Sequence, residues 1–94
     1  MTTESVGAEI VVRGHVQGVG FRFFCHTRAI RLNLTGWVKN TANSGVALHV
    51  EGDRGSIEAL IDELKVGPRA ASVADVAVRW TQYSGRYQSF SITG

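Results

Sequence analysis

The residues best suited to chemistry in this chain stand together between Gly14 and Arg22, in the sequence Gly-His-Val-Gln-Gly-Val-Gly-Phe-Arg. Three glycines in seven positions allow positive φ angles and a close approach of the backbone to a ligand. Successive N–H groups in such a loop form a concave anion site, to which a following helix adds unpaired N–H groups and the positive end of its dipole. We therefore interpret this stretch as a phosphate-binding loop.

Arg22 supports this interpretation because it falls in the predicted first turn of a helix, where a cation is unfavourable by about 0.3–1 kcal/mol. An anion held between the loop and Arg22 would turn that repulsion into attraction. The alternative is a tight connection whose glycines serve only the turn, and the residues alone leave it open. Phe21-Arg22-Phe23 follows Gly18-Val19-Gly20, so neither G-x-G-x-x-G nor the Gly-Lys-Ser/Thr of a Walker loop is completed.

Asn40 is a second candidate, at the end of a strand predicted over 34–40. Its amide offers both an acceptor and donors, so it could hold a water molecule beside a phosphorus atom bound by Arg22. Phosphoryl transfer depends mainly on positioning and charge stabilisation, so this small set of groups could suffice for a labile substrate. An Asx residue that merely opens a hairpin is the alternative.

The hydrophobic pattern predicts the elements that position these residues. Short runs of alternating or continuous apolar residues predict strands, and apolar residues at i, i+3, i+4 and i+7 predict helices. Residues 1–7 are interpreted as a loose leader. The predicted strands are 8–13, 34–40, 46–51, 73–80 and 87–92, the last with Phe90 and Ile92 inward, and the predicted helices are 21–32 and 56–65.

The order β-α-β-β-α-β plus a terminal strand is that of the ferredoxin-like fold. We therefore predict an α+β two-layer sandwich, in which two helices cover one face of a mainly antiparallel sheet. A right-handed first βαβ unit makes the first two strands parallel, with the third antiparallel between them. The carboxyl ends of the first two strands then lie at the same end of the sheet, which brings the loop and Asn40 together.

Composition limits the class of protein. The chain has 94 residues, enough for one domain over 1–94 with a single modest core. A net charge of +2 favours small anions, but the Lys and Arg residues are too scattered for a nucleic-acid surface. One cysteine excludes an internal disulfide and fits a reducing compartment. Without a secretory signal or a bilayer-length apolar run, we expect a cytoplasmic protein with no membrane or nucleic-acid partner.

Other residues with chemical potential are assigned structural roles. Cys25 and Arg31 have the C-x5-R spacing of thiolate phosphatases, but the residues between them lack glycine and continue a helix. Cys25 is therefore predicted to be a buried apolar residue. His15, His26 and His49 are not at metal-ligand spacing, so no metal site is predicted.

The sequence from Gly14 to Arg22, followed by Gly36-Trp37-Val38-Lys39-Asn40, closely resembles the two signatures of the acylphosphatase family. Gly45-Val46, Gly52 and Gly67-Pro68 also fit the family pattern, so the resemblance extends over nearly the whole chain. It implies hydrolysis of the carboxyl-phosphate bond of acyl phosphates to a carboxylate and inorganic phosphate. It also implies that no metal, cofactor or phosphoenzyme is required.

The resemblance further implies roles for individual residues. Arg22 would bind the phosphoryl group, Asn40 would position the attacking water, and Thr41 would support Asn40 from behind. The implied phosphate-binding residues, most of them through backbone N–H groups, are His15, Val16, Gln17, Gly18, Val19, Gly20 and Arg22. The implied partners are an acyl phosphate substrate and inorganic phosphate, which would be the product and a competitive inhibitor of a monomeric enzyme.

Two other functions remain open. One is a non-catalytic anion-binding or protein-interaction module on the same fold, since a fold does not determine a function. The other is an RNA-binding sheet, which the aromatic sequence from Gly20 to Phe24 faintly echoes, although that signature belongs on a central strand and not at the start of a helix. The outer face of the third predicted strand, with Ala47, His49 and Glu51, is predicted to face solvent and offers a poor stacking platform.

Overall fold

The computed structural model describes residues 4–94, and its elements follow the predicted order. They are β1 (Ser5–His15), α1 (Phe21–Arg31), β2 (Thr35–Asn40), β3 (Val46–Asp53), α2 (Arg54–Val66), β4 (Ser72–Gln82) and β5 (Phe90–Ile92). Neither helix in this part of the chain is long and apolar enough to cross a membrane.

The strands form a five-stranded sheet in the order β4-β1-β3-β2-β5. β3 is antiparallel to both β1 and β2, β1 is antiparallel to β4, and β2 is parallel to β5. The predicted place of the third strand, between the first two, is therefore confirmed. Because β1 and β2 run in the same direction, their carboxyl ends lie at the same end of the sheet.

The predicted two-layer α+β sandwich is also confirmed. α1 contacts β2 and β5, α2 contacts β1, β3 and β4, and the two helices contact each other. The strands alternate, so that every second residue of β1 and β3 faces the helices. The buried apolar residues from the strands include Ala8, Ile10, Val12, Val46, Leu48 and Val50, and those from α2 are Ile57, Leu60, Ile61 and Leu64, at the predicted spacing.

The loose leader predicted over 1–7 is wrong for Ser5, Val6 and Gly7, which belong to β1. These residues pair with residues 51–53 of β3, and two of them also pair with residues 81–82 of β4. Neighbouring strands on both sides therefore extend β1 beyond the apolar run that predicted it. Residues 1–3 lie outside the described residues.

Helix α2 begins two residues before its predicted start at Ser56. Asp53 is its N-cap, and the Asp53 carboxylate accepts a hydrogen bond from the Ser56 backbone N–H at 3.1 Å. An N-cap of this kind satisfies one of the donors that a helix start leaves unpaired, so it allows the helix to begin at Arg54.

The last strand is shorter than predicted, covering residues 90–92 and not 87–92. Phe90 is buried as predicted, but Ile92 is 42% exposed and not inward. Residues 87–89 do not belong to a strand. In the segment that leads to them, the backbone N–H groups of Ser84 and Gly85 donate to the Glu51 carboxylate.

The same contacts correct the prediction for the outer face of β3. Glu51, predicted to face solvent, is only 1% exposed. Its carboxylate accepts hydrogen bonds from the Ser84 N–H at 3.2 Å, the Ser84 hydroxyl at 2.8 Å and the Gly85 N–H at 3.1 Å. His49 Nε2 lies 3.1 Å from the same carboxylate. We call Glu51, His49, Ser84 and Gly85 the Glu51 cluster.

Candidate active site

The loop between β1 and α1 has the backbone geometry of an anion site. Gly18 and Gly20 adopt φ angles of 75° and 79°, in the left-handed region that favours glycine. A Cβ atom at either position would meet nothing within 4 Å, so both glycines border open space. Within residues 4–94, no backbone carbonyl accepts a hydrogen bond from the N–H groups of residues 17–20. These donors are therefore free to bind an anion.

Gly14, the first glycine of the same stretch, has a different role. It lies at an irregularity in the β1–β4 pairing, with a φ angle of 133°. A Cβ atom there would lie 2.2 Å from the Ser72 carbonyl oxygen. Gly14 therefore permits the close approach of two strands, and the concave part of the loop depends on Gly18 and Gly20.

Helix α1 directs its N-terminal end into this loop. Its N-cap is Gly20, no side chain caps it, and its first turn contains no acidic residue. The unpaired N–H groups and the positive end of the helix dipole thus face the loop without an internal anion to neutralise them. This arrangement favours the binding of an external anion.

Arg22 lies in that first turn, as predicted, and no Asp or Glu side chain of residues 4–94 forms an ion pair with it. The hydrogen bond that the described residues offer it runs from Nη1 to the Gly94 carbonyl oxygen, at 3.3 Å. A guanidinium can bind two oxygens of a phosphoryl group at once. Most of its donor capacity is therefore available to a ligand.

A cavity of about 210 Å³ joins the loop to the end of β2. Asn40, the last residue of β2, lines it together with Arg22, so the structure brings these two predicted site residues to one space. The other lining residues are Val16, Gly18, Gly20, Phe21, Phe23 and Ile92. Phe23 and Ile92 are members of this lining that sequence reasoning missed.

Four predicted site residues do not line the cavity with these groups. His15 ends β1 and pairs with Ser72 of β4. Val19 packs against the hydrophobic core. Gln17 and Thr41 take part in hydrogen bonds behind the loop, so any contribution of theirs to phosphate binding would come from the backbone or through other residues.

Gln17 ties the loop to the hairpin that follows Asn40. Its side-chain amide nitrogen donates to the carbonyl oxygens of Thr41, at 2.8 Å, and Gly45, at 2.7 Å. Thr41 closes the same hairpin, because its N–H donates to the Gly45 carbonyl and its hydroxyl oxygen accepts from the Gly45 N–H. Sequence reasoning assigned Gln17 only to the phosphate-binding set; its hydrogen bonds across the end of the sheet had no sequence signal beyond the predicted topology.

The cysteine is unsuited to nucleophilic chemistry. Cys25 is fully buried on the core face of α1, as predicted. Burial raises the pKa of its thiol to about 12, although a backbone hydrogen bond acts in the opposite direction. At neutral pH the thiol therefore stays protonated, whereas the thiolate is the reactive form. Among residues 4–94, no three His, Cys, Asp or Glu side chains are grouped so that they could hold a metal ion.

A larger cavity, of about 320 Å³, lies between α1 and α2 but is less suited to an anion. Its cation, Arg28, pairs with Glu63, with 2.6 Å between Nε and Oε1, and lies 4.4 Å from the centre of the Phe24 ring. The charge of Arg28 is thus already compensated. The smaller cavity beside Arg22 is the better candidate for a phosphate site.

Known proteins match this chain over nearly its whole length. The acylphosphatase family model matches residues 8–92. An acylphosphatase of Salinibacter ruber is 42% identical over 91 residues, which are 97% of this chain and 94% of the relative. The crystal structure of acylphosphatase from Bacillus subtilis has a TM-score of 0.91 and 32% identity, covering 95% of this chain and 99% of the other. Full-length HypF in its phosphate- and nucleotide-bound form has a TM-score of 0.90 and 36% identity, covering all of this chain and 12% of the other.

Proposed function

The chain belongs to the acylphosphatase family and is a hydrolase of acyl phosphates, and on that premise we propose that Arg22, Asn40 and the loop N–H groups carry out the reaction. The observation that carries this proposal is the Arg22 guanidinium, which forms no ion pair with an Asp or Glu side chain of residues 4–94, in a cavity shared by Asn40 and the glycine loop. Each of these groups offers the donor or acceptor that one stage of phosphoryl transfer needs.

Binding comes first. The phosphoryl group of the substrate lies against the loop over residues 15–20, whose N–H groups donate to its oxygens. Arg22 supplies a planar pair of donors to two of the same oxygens. The positive end of the α1 dipole adds to the attraction. Because Gly18 and Gly20 already hold the backbone in this shape, little reorganisation accompanies the reaction.

Hydrolysis follows from a water molecule that the Asn40 side chain orients toward the phosphorus. The water oxygen forms a bond to phosphorus in line with the bond to the acyl oxygen, which breaks and leaves as a carboxylate with the bonding electrons. One water proton passes to a phosphoryl oxygen of the substrate itself. Because a carboxylate is a good leaving group, no protein base and no covalent intermediate is needed.

The remaining expectations for this site follow from the same arrangement. Thr41 supports Asn40 indirectly, by closing the hairpin that begins after it. Inorganic phosphate, as product, competes with the substrate for the loop and Arg22. We also propose that the enzyme acts as a monomer, since all the groups named come from one chain.

The proposal is tested by measuring phosphate release from acetyl phosphate and benzoyl phosphate in the presence of excess chelator. A stable aryl phosphomonoester is the control substrate. We expect rapid release from the acyl phosphates alone, with competitive inhibition by inorganic phosphate. A folded protein that binds phosphate but releases none from either acyl phosphate would instead be a non-catalytic anion-binding module.

A further inference from the structure

Two large apolar side chains are exposed at the cavity that holds Arg22 and Asn40. Phe23 is 66% exposed and Ile92 is 42% exposed, and both line this cavity. We infer that Phe23 and Ile92 form an apolar wall that binds the acyl group of the substrate. The inference rests on the proposed function, and it assigns the enzyme a preference for acyl phosphates with an aromatic or extended apolar acyl group.

Neither side chain is needed for the hydrophobic core. The buried residues of α1 are Phe21, Cys25 and Ala29, so Phe23 faces away from the core. In β5 the buried residue is Phe90. Single exposed apolar residues are common on proteins, but two that border the cavity of Arg22 and Asn40 indicate a surface for a ligand with both a charged and an apolar part. An acyl phosphate has these two parts.

The size of the cavity explains why an acyl group would reach the wall. Pockets that enclose a drug-sized ligand usually measure about 300–1,000 Å³. The volume here is about 210 Å³, which suits a phosphoryl group and the adjoining carbonyl but not a large acyl group as well. The rest of the acyl group must therefore extend out of the cavity, along its lining.

The positions of the two residues suit this path. Phe23 directly follows Arg22 in the first turn of α1. Ile92 lies opposite Val38 in the parallel pairing of β5 with β2, the strand that ends at Asn40. The wall thus has one member beside the phosphate-binding arginine and one beside the strand of the water-positioning asparagine. Because the acyl carbon is only one oxygen atom away from the phosphorus, the acyl group leaves the cavity past its lining, in which Phe23 and Ile92 are the exposed large apolar side chains.

The test compares kcat/KM for benzoyl phosphate with kcat/KM for acetyl phosphate in wild type, Phe23→Ala and Ile92→Ala. We expect the benzoyl-to-acetyl ratio to fall about 5- to 10-fold in Phe23→Ala and about 3-fold in Ile92→Ala, because a phenyl ring buries more apolar surface than a methyl group. Phe23→Leu should restore part of the ratio, since it keeps an apolar surface. The difference in intrinsic reactivity between the two substrates cancels when the ratio is compared among variants.

Ile30→Ala is the matched control. Ile30 is 49% exposed, similar to Ile92, but it borders a different cavity, beside Leu34 and Phe90. Its loss should leave the benzoyl-to-acetyl ratio within 2-fold of wild type. Melting temperatures of all variants show whether each remains folded at the assay temperature.

The outcomes separate this inference from the proposed function. If wild type hydrolyses both substrates and the benzoyl-to-acetyl ratio is unchanged in Phe23→Ala and Ile92→Ala, these two side chains do not bind the acyl group and the inference is wrong. Equal losses on both substrates would also overturn it, because the two residues would then act on Arg22 or the loop and not on the acyl group. If wild type hydrolyses neither substrate, the proposed function itself fails, and the inference fails with it.

Discussion

The candidate active site and the Glu51 cluster both place a charged side chain near backbone N–H groups, but they treat the charge differently. In the Glu51 cluster the carboxylate accepts hydrogen bonds from the N–H groups of Ser84 and Gly85 and from the Ser84 hydroxyl, with His49 at 3.1 Å. At the active site, Arg22 has one carbonyl oxygen at 3.3 Å, and the loop N–H groups have no backbone acceptor within residues 4–94. The protein's own donors thus compensate the charge of Glu51, whereas no Asp or Glu side chain of residues 4–94 pairs with Arg22.

The difference teaches how to separate a structural charge from a functional one. Burial alone would raise the pKa of Glu51, but hydrogen bonds from His49, Ser84 and the Ser84 and Gly85 N–H groups outweigh it and hold the pKa below its usual value. The protein thus stabilises the charged carboxylate by itself. At Arg22 and the loop, residues 4–94 supply few acceptors, so donors at the cavity remain available to a ligand.

The sharpest test of this comparison is Arg22→Ala. Removing the guanidinium should lower kcat/KM for benzoyl phosphate by about 10³-fold or more, because it takes charge stabilisation away from the phosphoryl group in the transition state. Inhibition by inorganic phosphate should also weaken strongly. The melting temperature should change little, since no ion pair of the described residues is lost.

Arg79→Ala is the control for that variant. Arg79 pairs with Glu9 on the outer face of the sheet, so its charge is already compensated. Its removal should leave kcat/KM within 2-fold of wild type. Similar losses of activity in both variants would mean that net positive charge, and not the position of Arg22, supports catalysis.

Asn40→Ala is expected to have the next largest effect. Turnover should fall about 10²-fold, as the loss of a key positioning group can cause, while inhibition by inorganic phosphate stays close to wild type. The two readouts separate a water-positioning residue from a phosphate ligand. A loss of phosphate affinity as large as the loss of turnover would place Asn40 among the phosphate ligands.

The contrast between the two regions also shows what sequence can predict. The loop and Asn40 could be placed at one end of the sheet because glycine spacing, helix periodicity and the handedness of a βαβ unit are local or general properties. The position of the Glu51 cluster could not be predicted in this way, since the hydrogen bonds from Ser84 and Gly85 to Glu51 join positions 33 and 34 residues apart. The hydrogen bonds from the Gln17 side chain to Thr41 and Gly45, which span 24 and 28 residues, were not predicted for the same reason.

The predictions of strand boundaries and of the exposure of single residues were wrong where tertiary contacts overrode a local sequence pattern. The alternation in β3 predicted a solvent-facing Glu51, but the segment between β4 and β5 covers it. The apolar character of Ile92 predicted an inward side chain, but in β5 only Phe90 is buried. Both errors concern the C-terminal segment, which contains few apolar residues to indicate its path.

Glu51→Ala should show the opposite behaviour to Arg22→Ala. It removes a buried carboxylate that accepts several hydrogen bonds, so the free energy of unfolding should fall by about 2–3 kcal/mol. The kcat/KM of the remaining folded protein should stay near wild type, because Glu51 is not among the residues that line the active-site cavity. Urea unfolding and initial-rate assays at the same temperature measure the two effects.

Glu58→Ala supplies the matched substitution for Glu51→Ala. Glu58 forms an exposed ion pair with Arg54 on α2, and pairs of this kind contribute little. Its loss should change the free energy of unfolding by no more than about 0.5 kcal/mol. A comparable loss of stability in both variants would show that the burial of Glu51 adds nothing to its contribution.

The smallest expected effect is on the acid dependence of stability. Because the folded state holds the pKa of Glu51 below its usual value of 4.5, the unfolded state binds more protons near that pH. The stability contributed by the Glu51 cluster is therefore complete above about pH 5 and is lost as the pH falls through the lower pKa of the folded state. Urea unfolding midpoints at pH 7, 5, 4 and 3 should fall most steeply below pH 5 in wild type. Glu51→Gln, which cannot titrate, should show a shallower fall over the same interval. Parallel curves for the two proteins would mean that Glu51 is not the source of the acid sensitivity.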